Sequence, residues 1–66
     1  MNVIVNGDEK ALEPGATVAD LIQALSLTGK RIAVELNMEI VPHSQHATTT
    51  LNQGDTLEVV HAIGGG

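Results

Sequence analysis

Thr56-Leu57-Glu58-Val59-Val60-His61-Ala62-Ile63-Gly64-Gly65-Gly66 is the stretch that decides how the rest of the chain is read. Its first eight residues are a β-branched and apolar run opened by the turn pair Gly54-Asp55, which predicts a strand. Three glycines then strip away every side chain. Glycine lacks Cβ and ranges widely in φ and ψ, so residues 64–66 are expected to form a flexible tail. The distinctive group of such a tail is the α-carboxylate of Gly66, ionised at neutral pH. Bare backbone suits a narrow site on a second protein in which that carboxylate is chemically used, with Gly64 and Gly65 recognised on the way in. A frayed terminus without a role is the competing reading.

Along the strand, Leu57, Val59 and His61 alternate with Glu58, Val60 and Ala62. Leu57 and Val59 are assigned to the helix-facing core, and His61 reads as a partly buried structural histidine. The second set faces away, and the sequence holds nothing further to cover it. Glu58, Val60, Ala62 and Ile63 are therefore candidate docking residues beside the tail, Glu58 being placed to pair with an arginine of a partner.

Working back from the strand, the start of the chain supplies a hairpin. Asn2 to Val5 reads as a strand, Asn6-Gly7-Asp8 as its turn, and Glu9 to Leu12 as the weaker return, stopped by Pro14-Gly15. Thr17 then stands at a helix N-cap with Asp20 three residues on, a variant of the capping box. Val18, Leu21, Ile22 and Leu25 recur at i, i+3, i+4 and i+7, which predicts a helix of about three turns with one apolar stripe. Gly29 is placed to end it or to shape the following loop. Ile32, Val34 and Leu36 alternate with Arg31, Ala33 and Glu35 as a half-buried strand. Asn37-Met38 turns that strand into Glu39-Ile40-Val41, closed by Pro42. Residues 43–50 are polar, with one possible helical turn, and Leu51 is the expected anchor after them. The order hairpin, helix, strand, irregular segment, strand gives one sheet with the helix across one face, and its first and last strands can both be central.

Composition narrows the function classes. A chain of 66 residues makes a single domain, 1–66, that buries only about 60% of its unfolded surface. With no Phe, Tyr or Trp and a hydrophobic content of 42%, its core must come from Val, Ile, Leu and Met. The absence of cysteine excludes disulfides, a thiolate nucleophile and sulfur-ligated zinc. Three basic residues against eight acidic ones, net −5, disfavour nucleic acid and suit a basic protein partner. No signal-peptide pattern and no bilayer-length apolar run occur, so a soluble, cytoplasmic protein is expected.

The pieces Val3-Ile4-Val5-Asn6-Gly7, Thr17-Val18-Ala19-Asp20-Leu21-Ile22, Ala33-Val34-Glu35-Leu36-Asn37-Met38-Glu39-Ile40-Val41-Pro42, and Gly54-Asp55 through Gly65-Gly66 stand in a telling order. Through them the whole chain resembles the β-grasp, ubiquitin-like fold, and within it the ThiS-type sulfur carriers of thiamin biosynthesis. His43 and His46 depart from that family's pattern, which usually has a basic residue and then a large aromatic. The resemblance implies an α+β fold: a mixed sheet of four to five strands, one main helix and a flexible Gly-Gly tail. It also implies that Gly66 is adenylated by an E1-like enzyme using ATP and magnesium and converted to a thiocarboxylate by a persulfide donor. The sulfur then passes to thiazole synthase. On this reading the chain is a co-substrate, binds no cofactor itself and is not an enzyme. A sulfur carrier of another pathway such as molybdopterin synthesis, a lysine-conjugated modifier and an inert binding module remain as alternatives.

Other constellations are weaker. His43 and His46 have His-x-x-His spacing but no third ligand at a persuasive distance, and read as surface histidines. His61 could contact a partner or move a proton near the tail. Asn6-Gly7-Asp8 is turn chemistry, since no helix follows to cradle a phosphate. No nucleophile–base–orienter set exists.

Overall fold

In the first hairpin, β1 (Asn2–Val5) pairs with β2 (Asp8–Ala11) so that Val5 lies opposite Asp8. Only Asn6 and Gly7 remain for the loop, with φ of 51° and 87°. Two left-handed residues make the type I′ turn whose twist matches the strands it joins. So tight a turn brings Asp8 straight into the pairing, and β2 begins one residue before the expected Glu9. The computed structural model that shows this describes residues 1–61.

Helix α1 (Val18–Ala24) starts as the sequence predicts. The Thr17 hydroxyl accepts the Asp20 N–H at 3.2 Å, and the Asp20 carboxylate accepts the Thr17 N–H at 2.9 Å. Two more early donors are met by the polar segment: Val18 N–H reaches the Thr49 carbonyl at 3.0 Å and Ala19 N–H that of His46 at 2.9 Å. The helix has seven residues, about two turns rather than three. Ser26 turns left-handed at φ 61°. Its N–H donates to Gln23 and that of Leu27 to Ile22, each at 3.0 Å. This is a Schellman ending with serine where glycine is usual, and Gly29 shapes the loop beyond it.

Strands β3 (Ile32–Leu36) and β4 (Glu39–Val41) form the second hairpin around Asn37-Met38, and β5 (Thr56–His61) completes a five-stranded sheet of order β2-β1-β5-β3-β4. β5 runs parallel to β1 and antiparallel to β3. The last strand is thus the middle of a mixed sheet, as expected.

Helix α1 lies on one face. Val18, Leu21 and Ile22 pack there with Val3 and Val5 of β1, Val34, Val41, Leu51, Leu57 and Val59, while Leu25 is half-buried. The segment between β4 and β5 contains a 3₁₀ turn over His43–Gln45 and the buried anchor Leu51.

Two histidines depart from expectation. His46 is not on the surface but 5% exposed, its Nε2 at 3.1 Å from the Val41 carbonyl. That oxygen can only accept, so Nε2 carries the proton. The ring fills the core edge, and it meets the exposed His43 at a centroid distance of 5.1 Å. His61, expected to be half-buried, is exposed: the buried alternation of β5 stops at Val59.

Candidate functional site

The site is built on β5, because that strand leads to the glycines. An asparagine from each hairpin turn braces it. Asn6 takes a backbone bond, its N–H to the Leu57 carbonyl at 2.9 Å. Its side-chain amide then continues the ladder: Oδ1 accepts the Val59 N–H at 2.9 Å and Nδ2 donates to the Val59 carbonyl at 3.0 Å. A carboxamide has the same donor and acceptor as a peptide group, so this side chain stands in for a further residue of β1. On the other side, Asn37 N–H donates to the Thr56 carbonyl at 2.7 Å, and its Oδ1 accepts the Thr56 N–H at 3.0 Å. Its Nδ2 donates to Asp55 Oδ1 at 3.1 Å.

The sheet face opposite the helix is uncovered among the described residues. Val60 is 61% exposed there, as its alternation predicts, and Glu58 lies on the same face. The sequence reading did not single out the other apolar residues exposed here, Ile4 on β1 and Ile40 on β4. The alternation Val3-Ile4-Val5 carries the signal for the first of them, since its flanking valines are core. An open depression of about 630 Å³ runs over this face, bordered by Ile4, Asn6, Glu35, Met38, Glu58 and Val60. Glu35 and Glu58 occupy directly opposite positions on β3 and β5.

Ala62, Ile63, Gly64, Gly65 and Gly66 lie outside the described residues. Among the described residues no group of three or more His, Cys, Asp or Glu side chains could hold a metal ion, and His43 and His46 gain no third ligand. Nor is any described helix long and apolar enough to cross a membrane.

Comparison with known proteins carries the reading further. A profile of the ThiS family matches residues 3–66. The chain is 35% identical over 63 residues to the sulfur carrier protein ThiS of Bacillus subtilis, covering 94% of this chain and 96% of that one. It is 42% identical over all 66 residues to a thiazole synthase of Paramagnetospirillum magneticum, of whose length it spans only 20%. The crystal structure of the thiamine biosynthesis protein ThiS from Geobacter metallireducens superposes with a TM-score of 0.83 at 32% identity, covering 100% of both chains. By fold and by sequence alike, the chain belongs to the ThiS family of β-grasp sulfur carriers.

Proposed function

We propose that the α-carboxylate of Gly66 is the group this protein carries into reaction, and that its sulfur goes to the thiazole moiety of thiamin. A carboxylate is a poor electrophile, because its leaving group would be oxide. Attack of its oxygen on the α-phosphorus of ATP, on an E1-like partner, expels pyrophosphate and gives an acyl-adenylate. The terminal sulfur of a persulfide then adds to the carbonyl carbon and expels AMP. Cleavage of the resulting S–S bond by a thiol leaves the thiocarboxylate. Magnesium and the groups that stabilise charge at phosphorus belong to the activating partner. This chain is the co-substrate, and what it contributes is presentation of its terminus.

The observation that carries the reading is the reach of the family match, which extends through all three glycines to residue 66. Delivery to thiazole synthase is supported by the thiazole synthases of Paramagnetospirillum magneticum and Magnetococcus marinus, each of which contains a segment similar to this whole chain. Glu58 and Val60 belong to the surface that seats the domain while its tail is used; the docking roles expected of Ala62 and Ile63 fall outside the described residues.

Deleting Gly66 is expected to abolish ATP–pyrophosphate exchange by the activating enzyme without changing the melting temperature. Undiminished exchange would reject the proposal. So would intact-mass spectra, after incubation with the complete sulfur-transfer machinery, in which no oxygen is replaced by sulfur.

A further inference from the structure

The tip of the second hairpin carries a large apolar residue that is almost wholly exposed. Met38 stands at the second central position of a two-residue turn with φ 72°, where glycine is favoured and a long side chain is strained. It is also 91% exposed, so it gains almost no packing in return. The turn is nonetheless held firmly, since both the backbone and the side chain of Asn37 are bound to Thr56, with Asp55 added. A large, adaptable apolar side chain is thereby displayed on a preorganised mount.

Met38 borders the open depression of the uncovered face, and a second unfavourable feature lies within it. Glu35 and Glu58 oppose one another across β3 and β5, and like charges at directly opposite positions are destabilising. At the strand positions of this face the charged residues are Glu9, Glu35 and Glu58, all acidic. Exposed Ile4, Ile40 and Val60 lie around them. One kind of occupant answers all of these features: a protein surface with an apolar pocket for Met38 and an arginine between the glutamates. Arginine lays its stem on apolar surface and its planar head on carboxylates.

We propose that Met38 is the anchor by which this domain docks on thiazole synthase, and that the Glu35–Glu58 pair receives an arginine of that enzyme. The inference rests on the function proposed above. It commits to thiazole synthase because that is the protein with which this domain shares a chain in relatives, where it makes up 20% of the length. Docking relieves the opposed charges and buries the strained side chain, so features that weaken the free domain strengthen the complex.

The test is calorimetric titration of the full chain into recombinant thiazole synthase at low and moderate salt. Met38→Gly is expected to keep or raise the melting temperature while weakening binding at least about tenfold. The Glu35→Gln, Glu58→Gln double variant should bind at least about tenfold more weakly and lose most of the salt dependence. A Met38→Gly chain that binds as tightly as wild type overturns the proposal. So does one that binds the synthase normally but loses ATP–pyrophosphate exchange, which would assign the anchor to the activating enzyme. If the wild-type chain itself does not bind, it is the thiazole route of the proposed function that fails.

Discussion

At the scale of single residues, Asn6 does two jobs with one side chain. Its left-handed backbone makes the turn, and its amide pairs with both polar groups of Val59. Aspartate would tolerate the turn but would set an oxygen against the Val59 carbonyl. Asn6→Asp is therefore expected to cost about 1–3 kcal/mol, read as a lower urea midpoint with an unchanged m-value. The turn was legible in Asn6-Gly7-Asp8; the pairing was not. Asparagine is already accounted for by the preference of type I′ turns, so nothing in the local pattern asks for a second role. His46 was hidden for another reason. Residues 43–50 have no periodicity, so no register says which side chain turns inward.

At the scale of elements, the short helix shows how much of the fold is local. A seven-residue helix is marginal by itself. It persists because its N-terminal donors are all met, by its own capping box and by carbonyls of the segment it packs against. Thr17→Ala removes one arm of the box, and about 1 kcal/mol is expected to go with it. In a domain of this size that is a fall of roughly 4–8 °C in melting temperature, measurable by circular dichroism. The start of α1 was readable because capping chemistry is written in adjacent residues. Its end was misplaced by about one turn because Ser26 takes a conformation that glycine usually marks, while the visible glycine stands three residues later.

At the scale of the molecule, one helix faces a five-stranded sheet, so among the described residues one side of the sheet is core and the other is open. That division was predictable by counting elements. The two sides should respond oppositely to substitution. Leu57→Ala, at a fully buried position, is expected to cost about 2–5 kcal/mol, a large share of the stability of so small a domain. Val60→Asp, on the next position of exposed alternation beyond Val59, should weaken partner binding with little change in the melting curve. A thermal scan beside a titration with either proposed partner separates the two. A large drop in melting temperature for Val60→Asp with unchanged binding would place that residue in the core.

The two flanks of β5 are of unequal length. β1 pairs with it only at Thr56 and Leu57, and the Asn6 amide carries that side as far as Val59. β3 follows it all the way to His61. Among the described residues, then, the strand beyond Val59 is laced along a single seam. On the function proposed above, a partner pulling on the terminus would load that seam first, so the pairings of Val60 and His61 should give way before the asparagine-held one at Val59.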